Sequence, residues 1–290
     1  MNILVTGGLG FIGSNLVDDL VETYNHKVTV IDNLVSESSS TDYMRPDVQY
    51  WIEDIRNLNI YSSYEKEKFD VVFHLAADAR IQPSFEKPAK YFSSDAMGTV
   101  EVLEYARKHN AKLIYAGSST AFGDEYLNPY AFAKRTGERA CEMYNKVYNM
   151  DTITARFFNV YGPRQPTTGP WATVIGLFEE LKKNGKPLTV VGTGLQRRDF
   201  THVNDIVNGL IRLIDKEWKC DIISLGTGTN YSILELVEMF KAKKVHIDPR
   251  PGEVAKTLAD VAKTTELLGW SPTHSLREYI QRYLKNQKGV

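Results

Sequence analysis

Tyr130 and Lys134 stand four residues apart in Tyr130-Ala131-Phe132-Ala133-Lys134, a spacing that puts a phenol and an ammonium on one face of a helix. A cation at that distance favours the phenolate and lowers the phenol's pKa. A phenol tuned toward neutral pH can take the proton of a substrate hydroxyl while hydride leaves the carbon that bears it. Ser118 and Thr120 come shortly before, just past a strand-like run, where a hydroxyl would share that proton. Surface helices supply many Tyr-x-x-x-Lys pairs by chance, so the pair gains its weight from its place after the fifth strand.

Departing hydride needs an acceptor, and the N-terminus offers a site for one. Ile3-Leu4-Val5-Thr6-Gly7-Gly8-Leu9-Gly10-Phe11-Ile12-Gly13 reads as a strand, a glycine turn and a helix start. Gly7 and Gly10 would let the backbone approach a pyrophosphate, and Gly13 would let the helix sit close to the strand. The phosphates would then face the open N–H groups of the helix N-terminus. Asp32 lies 19 residues beyond Gly13, at the end of the second strand. A carboxylate there accepts hydrogen bonds from both adenosine ribose hydroxyls and repels a 2′-phosphate, which favours NAD over NADP. Asp54 follows the third strand, and Leu75-Ala76-Ala77 follows the fourth, where small residues permit close approach.

These residues need a scaffold, and the first half of the chain supplies its pattern. Ile3–Thr6, Lys27–Ile31, Val48–Ile52, Val71–Leu75, Lys112–Ala116 and Thr152–Phe157 read as strands too apolar to keep a wet face. Phe11–Glu22, Tyr91–Lys108 and Tyr130–Tyr148 carry helical spacing between them. Repeated βα units with right-handed crossovers predict an α/β fold, a doubly wound parallel sheet of the Rossmann type. After Asn159 the texture changes: Pro163, Pro166, Gly169 and Pro170 form a loop, and late helices are expected at Ser232–Lys241 and Ser275–Asn286. Residues 1–159 are read as mainly the dinucleotide domain. Residues 160–290 are read as mainly a smaller mixed α/β substrate lobe, interleaved with elements returning to the sheet.

Composition excludes other classes. With 290 residues, 42% apolar and 24% charged, the chain is long enough for a large core and ordinary enough for a globular enzyme. A formal charge of −1 gives no support to nucleic-acid or membrane-surface binding, and no apolar run approaches a bilayer span. The N-terminus has no basic region before its first glycine turn, so a cleaved signal peptide is not expected. Cys141 and Cys220 form no metal-ligand pattern and are read as thiols of a reducing cytoplasm.

Taken in order, the motifs resemble the NAD-dependent epimerase/dehydratase family, the extended short-chain dehydrogenases that act on nucleotide sugars. The series runs through Gly-x-x-Gly-x-x-Gly, Asp54-Ile55-Arg56, His74-Leu75-Ala76-Ala77, Gly98-Thr99 and Tyr-x-x-x-Lys. It continues with Arg156-Phe157-Phe158-Asn159-Val160-Tyr161-Gly162-Pro163-Arg164 and Gln196-Arg197-Arg198-Asp199-Phe200. It closes with Arg250-Pro251-Gly252-Glu253, Asp260 and Leu267-Leu268-Gly269-Trp270. The resemblance implies that Ser118 is the catalytic hydroxyl, Tyr130 the base, and Lys134 the lysine that also holds the nicotinamide ribose. It implies further NAD contacts from Phe11, Ile12, Asn33, Ile55, Ser94 and Phe157. For the substrate it implies Asn159, Arg198 and Arg250 at the diphosphate and Thr189 and Val191 beside the base. Thr120, Thr173, Val174 and Glu253 complete the expected substrate contacts.

Some positions depart from the family pattern. Phe122 stands where tyrosine is usual before Gly123, Asp95 where asparagine is usual, and Ala79 where a basic residue is common, with Arg80 beside it. Only 11 residues separate Ser118 from Tyr130, which implies a more open sugar pocket. In the family's 4,6-dehydratases an Asp-Glu pair follows the catalytic hydroxyl; Ser119 and Thr120 cannot serve as that pair. The implied reaction is therefore 4-epimerisation of a UDP-hexose or UDP-N-acetylhexosamine, by oxidation at C4 and return of hydride to the other face. Thr257, small and near Arg250, would leave room for a 2-acetamido group. A UDP-hexuronate decarboxylase or 4-epimerase is the rival, with Arg164 as a candidate carboxylate partner. A non-enzymatic sensor of NAD or sugar nucleotide is the alternative outside catalysis, against which the intact Ser118, Tyr130 and Lys134 argue. Family members commonly pair the helices at Tyr91–Lys108 and Tyr130–Tyr148 across a two-fold axis. A homodimer with a four-helix contact is thus expected, using Val100, Leu103, Ala140 and Met143.

Overall fold

Buried strands flanked by helices on both faces set the architecture. The computed structural model describes residues 1–36, 38–60 and 64–287, without the side chains of Glu65, Ala121, Phe122 and Cys220. The strands are β1 (Asn2–Thr6), β2 (Lys27–Asp32), β3 (Gln49–Ile52), β4 (Val71–His74), β5 (Lys112–Ser118), β6 (Thr152–Phe157) and β7 (Val160–Tyr161). They continue with β8 (Leu188–Val191), β9 (Arg197–Asp199), β10 (Thr201–His202), β11 (Lys219–Leu225), β12 (Asn230–Ser232) and β13 (Lys244–Ile247). The helices of the first half are α1 (Phe11–Glu22), α2 (Ile81–Glu86), α3 (Pro88–Tyr91), α4 (Gly98–Lys108) and α5 (Pro129–Tyr148). Those of the second are α6 (Val174–Lys183), α7 (Val203–Ile211), α8 (Ile233–Phe240), α9 (Ala262–Leu268) and α10 (Leu276–Asn286).

The main sheet runs β11-β6-β5-β4-β1-β2-β3, and every neighbouring pair is parallel. This is the doubly wound order, with the chain reversing its direction of travel between β1 and β4. A crevice opens at such a switch point, beyond the carboxyl ends of the strands. The strands are nearly all interior because both faces are covered. Ile3, Val5 and Phe73 pack under α1 and α7, whereas Leu4, Val72 and Leu113 pack under α4 and α5. The seventh strand, β11, was not among the expected strands. It returns from the second half and pairs with β6 from Lys219↔Thr152 to Leu225↔Phe157.

Two local findings differ from the sequence reading. The stretch expected as one helix from Tyr91 to Lys108 is broken by a π-helical segment at Phe92–Met97 before α4 begins. A wider turn swings the side chains around it out of helical register, and Asp95 is carried inward, only 1% exposed. Leu103, expected at a subunit contact, faces the sheet and is fully buried in its core. Met143 does stay exposed, and Val100 and Ala140 are partly buried.

The second half builds its own core over β8 and β13, where Phe178, Leu188, Leu236, Phe240 and Ile280 are buried together. Its helix α8 starts in a capping box, Ser232 accepting from the Glu235 amide and Glu235 from the Ser232 amide. Trp270 instead joins the main core and donates its indole N–H to the Asp205 carbonyl.

Candidate functional site

The glycine turn lies at the switch point and cannot carry side chains. Gly7 has φ +71°, and a Cβ there would stand 2.8 Å from the Ala76 nitrogen. A Cβ on Gly13 would stand 2.1 Å from the Gly7 carbonyl oxygen, so α1 packs directly on the turn. Gly10 is the N-cap of α1 and no side chain caps it, leaving the first N–H groups open to an anion, with Phe11 and Ile12 the first residues of the helix. This cradle fits a dinucleotide pyrophosphate, because Cβ atoms would fill the space it needs.

Asp32 ends β2 and is nearly buried. Its carboxylate accepts from the Leu9 amide at 3.0 Å and the Leu34 amide at 2.9 Å, so it braces the glycine turn. Burial raises its pKa, and those amides and the Ser39 hydroxyl pull the other way. Asn33 donates to Asp54, which also forms a bidentate pair with Arg56; the Arg56 bonds hold the Asp54 carboxyl down at about 2. Ile55 is buried where a Cβ on Gly98 would meet it at 2.8 Å. The Leu75 amide bonds the Thr6 carbonyl and the Ala76 amide the Thr6 hydroxyl, which fixes the strand end against Gly7. Ala77 follows in the same loop, and Phe157 ends β6 against the core. Ser94 bonds the carboxylates of Asp78 and Asp95 at 2.8 and 2.7 Å.

Ser118, Thr120 and Tyr130 come together at the carboxyl end of β5. Ser118 is the last strand residue and pairs with the Thr120 hydroxyl at 2.7 Å. Asn128 caps α5 by accepting from the Ala131 amide, and Pro129 takes the first helical position, so Tyr130 sits in the first turn. Burial raises the Tyr130 pKa; the Ser118 hydroxyl, hydrogen-bonded to the phenol, lowers it, Asp95 raises it and Arg80 lowers it.

Lys134 occupies the same helix face but does not act on the phenol as the spacing alone suggests. It is 4% exposed, and its ammonium rests over the Tyr115 ring, 4.4 Å from the centroid. Burial lowers its pKa, and Asp95 and Glu138 push it back up. The net pKa of Tyr130 is raised rather than lowered, because burial of the ring outweighs the Ser118 hydrogen bond and the Arg80 cation. Behind Lys134, His74 bridges Thr6 and Thr99 and stays neutral, its pKa pushed down to about 3 by burial and then by Lys134.

The second half brings one expected pair together. Arg198, on β9, donates to Glu253 at 3.4 Å and to the Arg197 carbonyl at 3.0 Å. Arg250 lies three residues before Glu253 in the same loop and is exposed. Asn159 has φ +28° and donates to the Asp199 carbonyl and the Thr257 hydroxyl, so half of its amide is spent on structure. Thr257 is itself nearly buried and accepts from the Asn159 amide group and the Asp199 amide. Thr173 caps α6, accepting from Gly176 and donating to Gln165, and Val174 begins that helix. Thr189 and Val191 are the partly exposed residues of β8.

Two arginines whose roles the sequence left open have defined contacts. Arg164 pairs with Asp18 at 2.7 Å and lies over the Tyr43 ring, committing it to the α1 side of the domain. Arg80, noted beside Ala79 at a position that is often basic, has φ +144° and donates twice to the Trp171 carbonyl, at 2.9 and 2.6 Å. It thereby ties the loop after β4 to the loop before α6. Sequence reasoning held no signal for this clamp beyond the charge of the residue. Phe122, a departure noted in the sequence, has its side chain outside the described residues.

Known proteins place these features in one lineage. The model of the NAD dependent epimerase/dehydratase family matches residues 3–226. A putative UDP-glucose 4-epimerase of Methanocaldococcus jannaschii is 34% identical, over 99% of this chain and 98% of its own. The UDP-glucose 4-epimerase of Thermotoga maritima, solved with UDP-glucose, superposes with a TM-score of 0.92 at 30% identity, covering 99% of this chain and 100% of its own. The UDP-glucuronic acid 4-epimerase of Bacillus cereus, solved with UDP-glucuronic acid and NAD, gives 0.88 at 29% identity, covering 100% and 99%. The chain belongs to the NAD-dependent epimerase/dehydratase family of enzymes.

Proposed function

We propose that this enzyme is a UDP-sugar 4-epimerase that works by transient oxidation at C4. The observation that carries the reading is the run of hydroxyls Thr120–Ser118–Tyr130 at the end of β5, one strand from the glycine cradle. Tyr130 accepts the O4 proton, and Ser118 holds the phenol and orients the sugar hydroxyl. NAD, when bound, supplies reversible hydride acceptance at C4. Asp32 would hold its adenosine ribose, Lys134 its nicotinamide ribose, and the open N–H groups of α1 its pyrophosphate.

Lys134 would turn from the Tyr115 ring toward the cofactor and then add its charge to that of Arg80 in stabilising the phenolate. Arg198 would exchange Glu253 for the substrate diphosphate, with Arg250 closing from the same loop; planar guanidinium forks suit phosphate oxygens. Thr189 and Val191 would flank the base from the rim of β8, and residues 160–290 would act mainly as the substrate lobe. Ser119 and Thr120 offer no carboxylic acid for elimination, which sets 4,6-dehydration aside. The homodimer remains part of the reading, with Met143 the exposed member of the expected apolar set; light scattering at micromolar protein should give twice the chain mass, and a monomer would remove it.

The direct test is NMR of the purified enzyme with UDP-glucose, UDP-N-acetylglucosamine and UDP-glucuronate. The reading expects the C4 epimer of at least one, formed without net reduction of NAD. Absence of any epimer, or release of a 4-keto-6-deoxy sugar, would overturn it.

A further inference from the structure

Arg80 carries a positive charge that the protein itself does not neutralise. Its backbone is held at φ +144°, a conformation that L side chains rarely adopt and that persists only where the surroundings enforce it. Its side chain donates twice to the Trp171 carbonyl, at 2.9 and 2.6 Å. Those bonds use the Nε edge of the guanidinium, two of its five N–H groups. The edge formed by the two terminal nitrogens keeps its remaining donors, in the geometry that grips a carboxylate with two hydrogen bonds.

Among the described residues no carboxylate takes that edge. Asp78 is paired with Lys90 at 2.6 Å and bonded to Ser94. Asp95 accepts from the Asp78 amide and Ser94. The side chains that couple electrostatically to Arg80 are Tyr130 and Tyr91, whose rings meet edge to face at 6.1 Å. Arg80 is the N-cap of α2, and α2 packs against α5, the helix that carries the base Tyr130, so the half-buried cation lies on the side of the site where the O4 proton is removed. Burying a charge without a partner costs free energy, and an anion arriving with the substrate offsets that cost.

We propose that the sugar this enzyme takes is a hexuronate, and that Arg80 is the specificity-determining residue that receives its carboxylate. The proposal rests on the reading of the site as one that oxidises C4 of a nucleotide sugar. A hexuronate carboxylate is attached at C5, the carbon next to C4, so a cation on the Tyr130 side of the site is placed to receive it. A neutral hexose or N-acetylhexosamine leaves the cation without a counter-charge. Arg164, the other candidate, is already held by Asp18. The diphosphate, the remaining anion of the substrate, falls to Arg198 on the far strand β9.

The experiment compares the NAD-loaded enzyme with Arg80→Gln and Arg80→Lys. Affinities for UDP-glucuronate, UDP-glucose and UDP-N-acetylglucosamine are measured by calorimetry, and turnover is followed by NMR. The parent should bind and turn over UDP-glucuronate at least tenfold better than either neutral sugar. Arg80→Gln should lose about 10- to 100-fold in affinity for UDP-glucuronate, as expected for a charge-assisted bidentate contact, and only a few-fold in affinity for the others, while turnover falls on all three because the phenolate loses a cation. Arg80→Lys should recover part of the difference by restoring charge without the fork. Equal losses of affinity for all three sugars would show that Arg80 serves the diphosphate or the Trp171 loop, and would overturn the proposal. A parent that prefers a neutral sugar would overturn it as well. Selective binding of UDP-glucuronate with no C4 epimer, or with a decarboxylated product, would support the Arg80 assignment while refuting the epimerase reading.

Discussion

Replacing Asp95 by asparagine should stabilise the protein above neutral pH and not below pH 5. The carboxyl is almost wholly buried at the π-helical segment; one oxygen accepts from the Asp78 amide and Ser94, and the other has no partner among the described residues. Burial pushes its pKa up to about 7, with Lys134 opposing. The unfolded chain loses this proton near 3.8 and the folded chain keeps it to about 7. The contribution is therefore full below pH 3.8 and is lost as pH rises to about 7. The rise from 3.8 to about 7 corresponds to at most about 4 kcal/mol, at about 1.4 kcal/mol per tenfold in proton affinity.

Asparagine keeps the acceptor and cannot ionise, but its buried N–H groups cost about 1–3 kcal/mol at every pH. That cost cancels when the variant is compared with the parent at two pH values. Urea unfolding at pH 4.5 and pH 8 should show the variant gaining about 2–4 kcal/mol relative to the parent between the two. An equal difference at both pH values would mean that Asp95 is already ionised without penalty, and would refute the reasoning.

Three further outcomes follow from the geometry. Gly13→Ala places a Cβ 2.1 Å from the Gly7 carbonyl oxygen, so it should cost about 1–3 kcal/mol and weaken NAD retention, whereas Gly123→Ala meets no atom of the described residues within 4 Å and should leave stability unchanged in the same melt. His202 is held down to about 4 by burial and then by His274, so its stabilisation is complete above 6.5 and drains as pH falls toward 4; His202→Asn should flatten that part of the acid-unfolding curve, and an unaltered curve would contradict the assignment. Tyr130→Phe should slow turnover by about 10²–10⁴-fold while sugar-nucleotide affinity survives, and parent-level turnover would remove the proposed base.

Much of the scaffold was legible because parallel strands buried on both faces read as unbroken apolar runs. Thr152–Phe157 was read to the residue, and Val71–Leu75 overran its strand by one. Both ends of α1 agree as well, since its apolar period and its glycine start are local. The π-helical segment was not legible, because one wide turn leaves no repeating period, and with it went the inward turn of Asp95. β11 was missed because its partner β6 lies far away in sequence. The same holds for the clamp of Arg80 on Trp171, made between loops 91 residues apart. Spacing placed Tyr130 and Lys134 on one helix face, but their electrostatics depend on what surrounds them. Tyr115 and Asp95 draw the ammonium away, and desolvation moves the phenol opposite to the expectation.

The central claim is that hydride leaves C4 and returns to C4 within one site. Incubating the enzyme with a UDP-sugar deuterated at C4, and following epimer formation by NMR in ordinary water, tests it most directly. The account predicts that the epimer retains deuterium at C4, since the hydrogen never exchanges with solvent and only the O4 proton passes through Tyr130. An epimer carrying solvent hydrogen at C4 would show inversion by proton abstraction instead, and would contradict the account.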